Sequence, residues 1–358
     1  MAIRRKHVTR GWRAAIAALI GSVLVLASAQ SPAQAAETDW SSFDANQARV
    51  LSGVYSATIN GATYDVVRGT DNNIWFRYNG GRWNPLGGDN ASRTTSPPRI
   101  IEFPPGRAMT VIRGLDGEIW YSQVNSGSAN FWTSWTRFPA GARAIGSPMV
   151  SVVPGTGTLF IEAPNANRRI NLMLAWNRNG QIQPGRTWDL DGYALLGTNA
   201  TDIEGNSQIV LNGLDYNNEE VTRSYFTGTD HHVWTETRVG DTVRDLHEVN
   251  GGAECVSGVG AARLGNQTTV VRPGQPGYSE QQRVLLACIG NDGYVWETQS
   301  SDGGRTFDGW RHPAGMLAPS SSTPAVNPSN NSWTLNVRWN GARSTAFPDN
   351  AAVAKRIN

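Results

Sequence analysis

An arginine, an aspartate and a tryptophan recur together in two segments of the chain. They are Arg68, Asp71 and Trp75, followed by Arg113, Asp116 and Trp120. An indole presents a flat apolar face on which a sugar ring can stack, and arginine and aspartate can hydrogen-bond the sugar hydroxyl groups. The register therefore predicts sugar-binding grooves. The alternative is structural: the tryptophan fills space between sheets, and the arginine and aspartate staple a hairpin.

These residues lie inside a repeat that runs along the chain. Its clearest copies are VVRGTDNNIWFRY (66–78), VIRGLDGEIWYSQ (111–123), YFTGTDHHVWTET (225–237) and LACIGNDGYVWETQ (286–299). Two degenerate copies are predicted, one at 158–176 with Trp176 near the expected place, and one at 333–341 that loses the later tryptophan. A repeat of this length is typical of solenoids and propellers.

Each copy predicts two strands joined by a tight turn. Asn72-Asn73 and Asp116-Gly117 are dipeptides that tolerate the positive φ of hairpin turns. A further short segment opening with an aromatic residue follows, and a Ser-Pro or Thr-Pro enters the next strand. Together these features indicate a four-stranded unit of roughly 45–60 residues, the size of a β-propeller blade.

The expected fold is all-β, a propeller of six four-stranded blades. The predicted blades lie near 50–87, 97–141, 147–192, 203–250, 256–315, and 322–348 plus 37–45. The last blade would be shared between the two ends of the mature chain, which leaves no open sheet edge. Five or seven blades remain open, and a β-sandwich or two tandem sandwiches are the alternative fold.

The first 35 residues have the pattern of a signal peptide. Residues 1–13 are basic, residues 14–29 are apolar, and Ala33-Gln34-Ala35 is a small-x-small cleavage pattern. We expect cleavage near Ala35/Ala36, secretion of the product, and one propeller domain over 36–358. An N-terminal membrane anchor is the alternative, but the apolar run is short for a span of about 20 residues. Since no later run is long enough either, membrane insertion of the mature chain is not expected.

The charge balance of the mature chain bears on which partners it can bind, and its two cysteines bear on disulfide formation. Of 31 Lys and Arg residues, five lie in the predicted signal peptide, so 26 remain against 29 Asp and Glu. This near-neutral balance gives no electrostatic case for nucleic acid. In an oxidising compartment, Cys255 and Cys288, which share one repeat, predict a disulfide, with two buried free thiols as the alternative.

The sequence gives little support for a catalytic, metal or cofactor site. His231-His232 lie on a predicted strand, where neighbouring side chains point to opposite faces, so a metal site is not expected, and neither is a cofactor. SSDGGRTF at 300–307 matches the Asp-box turn of secreted propellers, a structural element. Glu219-Glu220 with Asp202 and Glu204 is interpreted as a solvated acidic loop. A glycosidase would need two carboxyl groups at a set separation.

The strings RGTDNNIW and RGLDGEIW, followed by Trp-x-x-Leu or Trp-x-x-Phe and a loop into Ser-Pro, resemble the repeat of bacterial propeller lectins. These are the fucose-binding lectins of insect-associated bacteria, with tachylectin and tectonin as looser relatives. The resemblance covers nearly all of 37–348 and is strongest in blades one, two and five, although that family has seven blades. It implies a non-catalytic, multivalent lectin that binds glycans between blades. A secreted sialidase-like glycoside hydrolase is the alternative, and the oligomeric state is left open.

Overall fold

The structure, a computed structural model, describes most of the chain after residue 40. The described residues are 41–42, 49–87, 93–125, 132–138, 143–152, 157–165, 170–178, 181–189, 209–214, 220–228, 230–239, 242–250, 252–264, 283–311, 316–319, 322–329, 332–339 and 351–357. All regular structure in these ranges is β-strand. The predicted signal peptide, 1–35, lies outside them. Within the same ranges, no helix is long and apolar enough to cross a membrane.

The strands of the first three blades follow one another in chain order, and each blade is an antiparallel sheet. Blade one contains β2 (Tyr55–Ile59), β3 (Ala62–Arg68), β4 (Ile74–Tyr78) and β5 (Asn84–Pro85). Blade two contains β6 (Arg99–Glu102), β7 (Arg107–Arg113), β8 (Ile119–Asn125) and β9 (Thr136–Arg137). Blade three contains β10 (Met149–Val152), β11 (Thr158–Pro164), β12 (Ile170–Arg178) and β13 (Gln181–Asp189).

The last three blades complete the set, and the final one uses both ends of the chain. Blade four contains β14 (Ile209–Leu214), β15 (Glu220–Thr227), β16 (Val233–Val239) and β17 (Thr242–Glu248). Blade five contains β18 (Gly260–Leu264), β19 (Arg283–Ile289) and β20 (Val295–Ser300). Blade six contains β21 (Ala325–Ser329), β22 (Ser332–Arg338), β23 (Ala352–Ile357) and β1 (Ser41–Ser42).

The first strands of the six blades form a closed ring. In order, β2 contacts β6, then β10, β14, β18 and β21 follow, and β21 contacts β2 again. The predicted six-bladed propeller is therefore confirmed. Twisted sheets arranged radially bury their faces against their neighbours, so the core consists of apolar layers between blades.

Blade six closes the ring as predicted, through pairing of the N-terminal segment with the C-terminal strand. Ser41 pairs with Ala354, and Ser42 pairs with Val353. The predicted C-terminal boundary was too early, because β23 lies beyond residue 348. The tryptophan that marks this strand in other blades is absent here, since Val353 stands at its register, opposite Val337.

Blade five departs from the predicted four strands. Its fourth strand is reduced to one bridge, in which Glu297 and Arg311 exchange both main-chain hydrogen bonds, at 2.8 and 2.9 Å. The Arg311 Nε–H group also donates to Glu297 Oε1 at 3.0 Å. The remaining five blades have four strands each, as predicted.

Apolar side chains of adjacent blades interlock to form the core. Between blades five and six, Leu285, Trp333 and Leu335 are fully buried in one cluster. The indole Nε1–H of Trp333 donates to Ala262 O at 3.2 Å, so this large ring bridges two sheets without losing its hydrogen bond. The repeated apolar strands thus specify the propeller by packing blade against blade.

The predicted disulfide is present and anchors a linker. Cys255 bonds to Cys288, with their Cα atoms 5.9 Å apart. Cys255 lies in the linker from blade four, where it bridges to Gly290, and Cys288 lies on β19 opposite Trp296. The bond therefore fixes this linker beside the hairpin turn of blade five.

Candidate functional site

The hairpin between β3 and β4 shows how the repeat positions its side chains. Gly69 N–H donates to Asn73 O, and Asn72 N–H donates to Gly69 O, both at 2.9 Å. Asn72 has a φ of 64°, and Gly117 at the same register of blade two has a φ of 79°. The sequence prediction of turns with positive φ at these dipeptides is confirmed. Asparagine and glycine are the residues that adopt this conformation most readily.

In this hairpin, Gly69, Asp71 and Trp75 form one compact unit, which we call the Gly-Asp-Trp staple. Trp75 Nε1–H donates to both carboxylate oxygens of Asp71, each at 3.2 Å. The indole lies against Gly69, where a Cβ atom would stand 2.7 Å from Trp75 Cδ1 and Nε1. Glycine is therefore required by the close approach of the ring.

The staple recurs in four blades with nearly the same geometry. The indole-to-carboxylate distances all lie between 3.1 and 3.3 Å. The four staples are Gly69–Asp71–Trp75, Gly114–Asp116–Trp120, Gly228–Asp230–Trp234 and Gly290–Asp292–Trp296. Each aspartate is exposed, and each tryptophan is half-buried. The indole N–H is thus occupied, so a ring face is what remains to meet a ligand.

The third blade lacks a staple, and the predicted position of its tryptophan is wrong. Trp176 pairs with Thr158 at the far end of β12 and is 37% exposed. The residue at the staple register is Asn171, opposite Ala163. Strand β12 is longer than its counterparts, so a tryptophan five residues further along the strand falls outside the register.

Hydrogen bonding keeps the Asp71 carboxylate ionised. Burial acts to raise its pKa, but donors from the side chain and main chain of Asn73 and from Trp75 outweigh it and hold the pKa below the ordinary value. The Asn73 main-chain and side-chain donors lie at 3.0 and 2.9 Å. Asp71 therefore acts as a fixed acceptor for the turn, with its charge already engaged.

The structure separates the predicted arginines from their aspartates. Arg113 extends to the linkers instead, where its guanidinium group donates to Ile145 O and Thr95 Oγ1. Arg68 is buried at the same register of blade one. The interpretation of the turn as an arginine–aspartate staple was therefore wrong about the partner, because the aspartate binds the indole.

A cavity lies at the junction between blades six and one, which we call the six–one junction. Its volume is about 580 Å³, and it is lined by Arg49, Val50, Val67, Gly69, Thr70, Asp71, Trp75, Arg82 and Trp83. The linker from blade six forms one wall, through the bridge of Val50 to Gly69. Pockets of 300–1,000 Å³ with a few polar groups are typical of small-molecule sites. Of the predicted site residues in blade one, Asp71 and Trp75 line the cavity, and Arg68 does not.

Trp83 forms the second aromatic wall of the cavity, and the guanidinium group of Arg77 stacks on its ring. The guanidinium carbon of Arg77 lies 5.0 Å from the Trp83 ring centroid. Arg77 Nε–H donates to the buried carboxylate of Asp65 at 2.6 Å, and Ser56 Oγ–H donates to the other Asp65 oxygen at 2.5 Å. The cation stacked on Trp83 is therefore neutralised and fixed within blade one.

Sequence reasoning missed Arg49, Arg82 and Trp83 as members of the site. Arg49 belongs to a linker register that the chain repeats, since it precedes a residue that bridges to the next hairpin. The residues at this register are Arg49, Arg93, Arg143 and Glu254. That repetition could have pointed to Arg49, whereas nothing in the sequence indicates that Arg82 lines the same cavity.

The equivalent junctions differ in how open they are. At the junction between blades one and two, Trp135 stands at the register of Trp83 but is only 9% exposed. Its Nε1–H donates to Leu86 O at 3.3 Å. The indole that is available at the six–one junction is therefore packed into the core here.

Two other sequence motifs are structural. In the Asp box, Asp302 accepts hydrogen bonds from Arg305 N, Thr306 N and Thr306 Oγ1, and Arg223 of blade four donates to Gly303 O at 2.8 Å. His231 lies in a turn with a φ of 66°, so its predicted placement on a strand was wrong. Within the described part of the chain, no group of three or more His, Cys, Asp or Glu side chains could hold a metal ion.

The ring of six blades, with indoles at its junctions, defines the class of this molecule: a six-bladed β-propeller with a ligand-sized cavity between blades. Solved lectin structures are similar to it. The SapL1 lectin, determined with α-methyl fucoside, is 14% identical with a TM-score of 0.55, covering 87% of this chain and 97% of that chain.

Two further lectins show the same architecture. An Aleuria aurantia lectin, described as a six-bladed propeller with a novel fucose recognition mode, is 10% identical with a TM-score of 0.52, covering 84% of this chain and 91% of that chain. BP39L lectin from Burkholderia pseudomallei is 15% identical with a TM-score of 0.55, covering 84% and 88%. At these identities the similarity establishes the fold, and it confirms the predicted likeness to propeller lectins at that level.

No protein-family model matches the chain, and no curated protein matches it. The comparisons give no support to the sialidase-like alternative.

Proposed function

We propose that this protein is a carbohydrate-binding propeller without catalytic activity, and that a sugar binds in the cavity at the six–one junction. The observation that carries the proposal is the pairing of two indoles, Trp75 and Trp83, with arginine and threonine side chains around one cavity of about 580 Å³. Aromatic faces and a few convergent polar groups are the usual means of holding a sugar ring. Two of the similar lectins support the same class of ligand, since SapL1 was determined with α-methyl fucoside and the Aleuria aurantia lectin is described by its fucose recognition mode.

Several junctions would act together. Four of the six blades carry the staple, and a linker residue bridges to the staple glycine in three of them, at Gly69, Gly114 and Gly290. A single shallow sugar site binds near the millimolar end of the affinity scale, and several sites facing one glycan-coated surface raise avidity by ~10²–10⁴. The second predicted set, Asp116 and Trp120, would serve at the junction between blades one and two. Arg68 and Arg113 would support the hairpins without touching sugar.

The protein would act outside the cell. The basic start, the apolar run 14–29 and the Ala33-Gln34-Ala35 pattern support export with cleavage near Ala36. A mature chain of net charge about −3 suits a glycan partner better than nucleic acid. Mass spectrometry of culture medium tests export, and an intact Met1 on a membrane-retained product would refute it.

A glycan array probed with the mature chain tests the sugar-binding proposal. We expect array binding to weaken in Trp83→Ala and in Thr70→Tyr, because each variant disables one of several junctions. Thr70→Tyr fills the cavity from an exposed turn position without disturbing the staple. Trp176→Ala is the matched control, because this tryptophan is exposed in blade three and lies outside the cavity. Thermal melts verify folding of each variant. Array binding that is as strong in folded Thr70→Tyr and Trp83→Ala as in the wild type would contradict a sugar site at this junction.

A further inference from the structure

Two arginines face the cavity at the six–one junction, and among the described residues neither has a charged partner there. Arg49 comes from the linker and Arg82 from the loop before β5, and both are exposed. Neither guanidinium group makes a hydrogen bond or ion pair with any residue that the structure describes. Two such guanidinium groups around one cavity form a cationic site that can donate hydrogen bonds to an anion.

The carboxylate in the same cavity offsets only one of the two positive charges. Asp71 is engaged by four N–H contacts, two from the Trp75 indole and two from Asn73. It is committed to the turn and cannot swing toward Arg49 or Arg82 without breaking the staple. With two guanidinium groups and one carboxylate, the described residues that line the cavity have a net positive charge.

The aromatic walls show that a bare anion is not the best occupant. Trp75 and Trp83 both line the cavity, and Trp83 is fixed by the stacked Arg77. An inorganic ion would use the guanidinium groups and leave both indole faces against water. A ligand with an apolar ring face and an attached anionic group would use both features.

We propose that the six–one junction selects an anionic saccharide, a sugar ring bearing a carboxylate or a sulfate group. The ring would lie against the indoles of Trp75 and Trp83, and the anionic group would accept hydrogen bonds from Arg49 and Arg82. This inference rests on the proposed sugar-binding function and names its ligand class.

The junction between blades four and five has the opposite charge at the linker position of Arg49. Between blades four and five, Glu254 stands at the register of Arg49, because each precedes the residue that bridges to a staple glycine. Asn291 Nδ2–H donates to Glu254 Oε2 at 3.3 Å, which holds the carboxylate beside the staple. The sign of charge at this linker register is thus reversed between blades four and five, so we expect no anionic preference at that junction.

Matched pairs of saccharides test the inference. The probes are glucose, galactose and N-acetylglucosamine, each compared with its 6-sulfate, together with methyl glucuronide and methyl glucoside, titrated by ligand-observed NMR. We expect an anionic member to bind at least about ten-fold more tightly than its neutral partner, and the preference to shrink at high salt. The double variant Arg49→Gln/Arg82→Gln removes this preference and keeps the neutral binding. Arg178→Gln/Arg305→Gln removes two exposed charges elsewhere and leaves the preference intact.

The other possible results of these titrations distinguish failure of the anionic inference from failure of the proposed sugar-binding function. Equal or tighter binding of the neutral members by the wild-type chain overturns the anionic inference and leaves the sugar-binding function standing. A preference that survives in Arg49→Gln/Arg82→Gln also overturns it. Inorganic sulfate that binds as tightly as the sulfated sugars overturns the role of the indoles. Absence of binding by every probe and by the glycan array overturns the proposed function itself.

Discussion

Replacing Gly69 with alanine tests the staple that positions the Trp75 face. The added Cβ atom would lie 2.7 Å from Asp71 Oδ1, from Trp75 Cδ1 and from Trp75 Nε1. Ordinary contacts of a Cβ atom begin near 3.4 Å, so the indole or the carboxylate must move by roughly 0.7 Å. Gly69 does not have a left-handed φ, so no backbone strain adds to the steric effect.

The cost follows from overpacking. Forcing one extra methyl group into a packed site costs about 1–3 kcal/mol. The hydrogen bond between Trp75 and Asp71 adds little, because Asp71 is exposed and water can replace the lost donor. We therefore expect Gly69→Ala to lower the free energy of unfolding by about 1–3 kcal/mol. Since the indole wall is displaced, saccharide binding at the six–one junction should weaken as well.

Denaturant unfolding and saccharide titration measure the two effects on the same samples. Gly309→Ala is the matched control, since a Cβ atom there meets nothing within 4 Å and the glycine has no left-handed φ. Its stability should stay within about 0.5 kcal/mol of the wild type, with binding unchanged. If Gly69→Ala behaved like Gly309→Ala in both measurements, the close approach of indole and glycine would not determine the site.

Three further predictions concern the disulfide, the carboxylate and the ring closure. Cys255→Ser/Cys288→Ser should lower the free energy of unfolding by about 3–4 kcal/mol by loop-closure entropy, and two reactive thiols in the unreduced, unfolded wild type would contradict the bond. Hydrogen bonds depress the pKa of Asp71 below its ordinary value of 3.8, so its contribution is complete above that pH and is lost as the pH falls through the lowered pKa. Saccharide binding should therefore be unchanged from pH 7 to pH 5 and weaken only below pH 3.8; weakening at pH 5 would show that another group controls the site. Deleting residues 36–45 exposes the edge of β23 and should cost about 1–3 kcal/mol for the lost ladder bonds, whereas an unchanged thermal melt would refute the shared blade.

The fold could be predicted from the sequence because the same local pattern of residues recurs in several blades. Apolar runs, turns with positive φ and a tryptophan two residues into the next strand recur at one register, and blade closure follows from matching the two ends. The pattern failed where the marker residue is missing. Trp176 in blade three and the late strand Ala352–Ile357 in blade six both lie in copies without the tryptophan at its register.

The site was predicted only in part, for a geometric reason. Asp71 and Trp75 are neighbours within one hairpin, so their spacing alone places them together. Arg49 comes from a linker and Trp83 from the segment before β5, and the bridge of Val50 to Gly69 brings the linker to the blade-one cavity. The prediction of Arg68 as a ligand-binding residue was misleading because the arginine register has a structural role. Arg113 at the same register shows this role, since its guanidinium group binds two linkers.

A sugar is expected to bind at the six–one junction. The most direct measurement is a crystal structure of the chain beginning at Ala36, soaked with the saccharide that binds best on the array. We predict density for a sugar ring against Trp75 and Trp83, within hydrogen-bonding distance of Arg49 or Arg82. Density for the sugar in the central channel, or bound only at blades without a staple, would contradict the account.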